Sequence, residues 1–136
     1  MSFGRLASIG VILIVLAAVI AGLVISGSPE EQRLLRTDDR RVTDLQQLSR
    51  SIERYYRDTE MLPSDLETLL NGWASSGLPL DPETNQDYDY ELESGRTYRL
   101  CADFALNSRP NRQPDFWSHA GGHQCYSFDY SALVLD

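Results

Sequence analysis

A chain of 136 residues and 15.4 kDa has room for one compact domain, and 20 Asp and Glu against 12 basic residues leave a formal charge of -8. This acidic balance excludes a nucleic-acid binder, because too little positive charge is available to neutralise a run of phosphates. All 12 basic residues are Arg, which also excludes lysine chemistry such as a P-loop or a Schiff base.

Residues 6–25 form the first predicted element, an unbroken run of Ile, Leu, Val, Ala, Gly and Ser without a charge. About 20 apolar residues in a helix span the roughly 30 Å hydrocarbon core of a bilayer. A chain of this size cannot bury so uniformly apolar a cylinder inside itself. The run is longer than the apolar region of a cleaved signal peptide, about 7–15 residues, and Pro29 would stand just past the best small-residue cut at Ser26 to Ser28. It therefore reads as a retained anchor, and no Cys is placed to carry a lipid.

The flanking charges conflict over orientation. Arg33, Arg36, Arg40 and Arg41 outnumber Arg5 and would hold the C-terminal side inside the cell. Three features argue the reverse: the N-terminal tail is only a few residues, Glu30, Glu31, Asp38 and Asp39 lie among those Arg, and the two Cys suit a disulfide. The organisation expected is a short cytoplasmic tail at 1–5, a transmembrane helix at 6–25, a linker at 26–29 and an outer domain at 30–136. That places a single-pass protein in the cytoplasmic membrane with its domain in the periplasm or cell exterior.

Ser28 with Glu31 fits a capping box, with Pro29 at the first helical position. Leu35, Val42, Leu45, Leu48, Ile52, Tyr55 and Tyr56 then recur in steps of three and four, and Asp39, Arg40, Gln47, Arg50, Glu53, Arg54 and Arg57 fill the other face. One amphipathic helix to about Asp58 is predicted. Ser64 with Glu67 repeats the capping pattern and predicts a short helix to Leu70, ended by Asn71-Gly72.

The period then changes to two. Tyr88, Tyr90 and Leu92 alternate with acids, Ser94-Gly95 makes a turn, and Tyr98, Leu100, Ala102 and Phe104 alternate with Arg99, Cys101 and Asp103. These runs predict a β-hairpin. After a polar loop at 107–115, residues 124–129 form a third candidate strand with Tyr126 and Phe128 inward, and residues 132–135 a short edge strand. The fold class is α+β: a membrane helix, then a long amphipathic helix packed on a small antiparallel sheet.

The order of elements resembles the type IV pilins and type II secretion pseudopilins, most closely the major-pseudopilin style of globular domain. Asp44-Leu45-Gln46, Ile52, Tyr55-Tyr56, Leu62-Pro63, Leu66, Leu69-Leu70, Leu78-Pro79-Leu80-Asp81-Pro82, Tyr88 and Tyr90 carry the likeness, which spans residues 38–104. The segment with Trp117, His119, Gly121-Gly122 and Cys125 looks more like membrane-anchored bacterial proteins that carry a pilin-like outer domain. Pilin precursors place Glu at the fifth mature position; a cut after Gly4 puts Ile9 there, and one after Gly10 puts Val15. The anchor therefore reads as an ordinary signal anchor without the prepilin cleavage motif.

Cys101 and Cys125 lie on the non-apolar side of their predicted strands, so neighbouring strands can join them in a disulfide, a bond suited to a small domain outside the cytoplasm. The rival is a zinc site of His119, His123, Cys125 and Cys101, although the spacing fits no standard zinc module and both His also suit a turn. Asp81, Glu83, Asn85 and Asp87 offer oxygens at alternate positions; the resemblance to pseudopilins, some of which bind calcium, makes them Ca²⁺ candidates, with a solvated turn as the alternative. Residue 86 is Gln and residue 92 is Leu where an EF-hand needs Gly and an acid, so the loop is not one.

Neither a G-x-S-x-G elbow nor an H-E-x-x-H pair is present, and Asp103 reads as a surface acid or a partner of Arg99 rather than a base. Trp73, Phe116 and Trp117 can serve either as binding aromatics or as core, with core the reading for at least two of them. The expected role is non-catalytic and without a cofactor: contact with membrane lipid and other membrane or envelope proteins, homo-oligomers included. The alternatives are an atypical pilin or pseudopilin subunit of a filament and a metal-binding outer domain.

Overall fold

The computed structural model describes residues 3–26, 28–74, 77–109 and 116–130; the strand expected at 132–135 and residues 110–115 of the polar loop lie outside them. The chain divides into two compact units, Met1–Arg33 and Leu34–Asp136.

In the first unit, helix α1 spans Phe3–Ser26. At 1.5 Å per residue its 24 residues extend about 36 Å, enough to cross a bilayer core. Its large described side chains from Ile9 to Val24 are exposed. Helix α2 begins at Pro29, and the Ser28 hydroxyl caps it by accepting the Glu31 amide at 3.1 Å.

Within the second unit α2 continues to Thr59. Glu60, at φ 57°, takes the left-handed position that ends the helix while its amide still bonds the Tyr56 carbonyl at 2.7 Å. Leu45, Leu48 and Ile52 are fully buried, while Val42, Tyr55 and Tyr56 pack on the margin of the core. A 3₁₀ turn, η1, covers Glu67–Leu70. Its N-cap is Leu66, without a side-chain cap; Ser64, expected there, donates to Asp65 at 2.9 Å, and Asp65 accepts the Thr68 amide at 2.9 Å and the Thr68 hydroxyl at 2.8 Å. Gly72 follows at φ 118°, a conformation open to glycine.

The sheet consists of β1 (Asp89–Leu92), β2 (Thr97–Phe104) and β3 (Gly122–Asp129), all antiparallel and in the order β1-β2-β3. Side-chain alternation sends Tyr98, Leu100, Ala102 and Phe104 from the central strand to the core, where Tyr126 from β3 and Tyr130 join them. Leu92 is 44% exposed at the end of the hairpin, outside the core that its alternation implied. Stacking of Tyr130 on Tyr56, with ring centres 4.8 Å apart, ties the end of the sheet to α2. A long apolar N-terminal helix followed by a helix and a small antiparallel sheet is a pilin-like α+β architecture.

Candidate functional site

The solvent-facing side of the sheet gathers the reactive side chains. Alternation in β2 turns Arg99, Cys101 and Asp103 away from the core, and pairing sets Cys101 opposite Cys125, Asp103 opposite His123 and Asp89 opposite Cys101. Cys101 and Cys125 are joined, with sulfurs 2.07 Å apart. Their exposures are unequal: Cys101 is 0% exposed under its neighbours, whereas Cys125 on the outer strand is open to solvent.

His123 lies against this bond. Its Nδ1 is 3.1 Å from Asp103 Oδ1 and its Nε2 is 3.5 Å from Cys125 Sγ. Asp103 thus pairs with His123 and not with Arg99, whose guanidinium holds Glu91 and, at 3.0 Å, Glu93. Of the four zinc candidates, Cys101, His123 and Cys125 have ligand atoms within 4.8 Å of one another. His119 stands apart, its ring stacked on Phe104 at 3.8 Å over the core face. Zinc takes thiolates, and a disulfide offers none.

The calcium candidates belong to a second constellation, of which Asp81 is buried and Glu83, Asn85 and Asp87 are exposed. Asp81 starts a tight turn in which its Oδ1 accepts the amides of Glu83 and Thr84, both at 2.9 Å, and Asn85 adopts φ 56°. The Arg41 guanidinium reaches across from α2 to Asp81 at 2.6 Å, to Glu83 at 2.9 Å and to Asp38 at 2.9 Å. Asp38 also accepts the amides of Ala105 at 3.0 Å and Leu106 at 2.8 Å, and Asp44 accepts the Tyr88 hydroxyl at 2.9 Å. Arg41 therefore already holds both Asp81 oxygens and Glu83 Oε2, in competition with any calcium ion, while Asn85 and Asp87 are exposed beside them.

Hydrogen bonding to Asp81 is the main cause that raises the Arg41 pKa, opposed by burial and helped by Glu83 and Asp38. Burial alone would raise the Asp81 carboxyl; Arg41 and the Thr84 and Glu83 amides outweigh it and hold that group at about 2. Tyr88 is pushed above the ordinary phenol range, first by burial and then by Asp44.

No family model matches the sequence, and neither does any curated protein or solved structure.

Among the aromatic residues, Trp73 and Trp117 are half-buried and Phe116 is 54% exposed. The Trp73 indole donates to Asp58 at 2.9 Å and its ring meets Tyr55, while Trp117 packs on Tyr126. The buried triplet Asp38, Arg41 and Asp44 escaped the sequence reading, which took the first two for membrane-flanking charges. The signal was present: these residues fall at steps of three in line with Leu45 and Leu48, on the face that turns inward.

Proposed function

We propose that the protein is a non-catalytic, single-pass membrane protein that presents a pilin-like domain on the outer side of the cytoplasmic membrane for contact with other envelope proteins. The observation that carries this reading is the apolar exterior of α1, whose large described side chains are exposed and suit lipid. A second unit with its own core and a disulfide supports presentation of the domain in an oxidising space. The resemblance to pilins and pseudopilins makes lateral association, with itself or with relatives of similar build, the mode of contact.

The test is to express the full chain with a C-terminal epitope, wash membranes in alkaline carbonate, and treat spheroplasts with protease. Retention in the washed pellet with loss of the epitope to external protease is the expected result. Release into the wash, or an epitope that survives until the membrane is broken, refutes the anchor or its orientation respectively. Intact mass of the same material distinguishes a signal anchor from a processed filament subunit, which would have lost its first residues.

A further inference from the structure

The geometry points to the Cys101–Cys125 bond as a site of thiol–disulfide exchange with an external dithiol, in which Cys125 is the sulfur attacked and His123, positioned by Asp103, protonates the sulfur that leaves. This inference is independent of the membrane reading.

Three observations carry it. The first is the difference in exposure: an incoming thiolate can reach Cys125 on the outer strand, whereas Cys101 is 0% exposed. Attack on a disulfide runs along the S–S axis, so approach at Cys125 expels Cys101. The second is the consequence of that expulsion. A thiolate formed at a buried position lacks water to solvate it, so a nearby proton donor lowers its cost. The third is the imidazole. Nδ1 is occupied by Asp103 at 3.1 Å, which directs Nε2 to Cys125 Sγ at 3.5 Å, and a ring nitrogen lies within 4.8 Å of Cys101 Sγ. In the imidazolium form that nitrogen carries a proton.

A thiolate of the dithiol forms a bond to Cys125 Sγ while the Cys101–Cys125 bond breaks. The electron pair of that bond leaves on Cys101 Sγ, which takes the Nε2 proton. The second thiol of the dithiol, as thiolate, then attacks its own sulfur in the mixed disulfide and expels Cys125. The dithiol is oxidised by two electrons to a disulfide, the cysteine pair is reduced, and the two protons of the dithiol end on the two cysteines. Run backwards, the same path re-forms the bond.

The charged groups around His123 are Asp103 on β2, Asp89 opposite Cys101 on β1, the Arg99–Glu91 pair farther along the face and Asp129 at the far end of β3.

The experiment uses the full-length protein in detergent with dithiothreitol as the dithiol. Acid quenching, alkylation and mass spectrometry count free cysteines over time, and each rate is divided by the thiolate concentration at its pH. For the wild type this normalised rate falls about tenfold between about pH 5.5 and about pH 8.5, a modest effect for general acid catalysis as befits an exposed imidazole. His123→Gln gives a flat profile at the slow limit, with circular dichroism and oxidised-state melting unchanged. Flat, equal profiles for wild type and His123→Gln overturn the proposal. Glutathione, a monothiol, provides a second readout by trapping the mixed disulfide: a peptide carrying it on Cys125 supports the assignment, and one carrying it on Cys101 overturns it.

Discussion

Arg41 joins three carboxylates that would otherwise repel one another at the edge of the core. Its planar fork meets Asp81 with Nε and Nη2 together while Nη1 serves Asp38, a geometry that a lysine ammonium cannot reproduce. Arg41→Ala leaves Asp38 and Asp81 buried without their cation, and removal of one member of a buried ionic group costs about 3–5 kcal/mol. The midpoint of urea unfolding should move down accordingly, and Arg41→Lys should recover only part of the loss. A midpoint within error of the wild type for Arg41→Ala would show that the network is idle.

The same cluster fixes an acid dependence. Asp81 has its carboxyl lowered from 3.8 to about 2, so the folded state binds its proton less readily than the unfolded chain. Its contribution is fully present above about pH 4 and is lost as the pH falls through the folded value, about 2 kcal/mol at about 1.4 kcal/mol per unit. Urea unfolding followed from about pH 5 to about pH 2 should show this slope in the wild type and a flatter one in Asp81→Asn. Identical slopes in the two proteins would place the acid sensitivity elsewhere.

At the level of elements, much was readable because periodicity and capping are local. The start of α2 at Pro29 follows from Ser28 and Glu31, and the facing positions of the two cysteines follow from period two in strands whose apolar sides are unambiguous. Local rules also explain the failures. Ser64 was expected to cap the short turn, but the neighbouring Asp65 carboxylate, a stronger acceptor, took the Thr68 amide. His119 and His123 looked equivalent, but His123 shares a strand and a face with Cys125 whereas His119 precedes the strand and folds over Phe104. The covalent link between β2 and β3 closes a span of 24 residues, which corresponds to about 3 kcal/mol of loop-closure entropy. Replacing both cysteines by Ala should lower unfolding stability by about that amount, measured as the shift in denaturant midpoint times the slope. No shift would mean that residual structure already restricts the unfolded chain as tightly as the bond does.

For the molecule as a whole, the net negative charge comes entirely from the part after α2. Acids and arginines balance within Pro29–Thr59, while residues 60–136 hold far more Asp and Glu than Arg. Any partner that recognises the sheet-and-loop half electrostatically must therefore be cationic, and its binding must weaken as salt screens the surface. Fold class was legible because each element shows its own period. The buried ionic network was not, since its partners stand 40 residues apart for Arg41 and Asp81 and 67 for Asp38 and Ala105. Those separations also order the assembly of the domain. Hairpin pairing and helix growth involve neighbours in the chain and can nucleate early, but the clasp between α2 and its distant turns closes only after the loops between them have been drawn in. Weakening that clasp should hasten unfolding far more than it slows refolding, which makes it the latch that sets how long a folded molecule lasts.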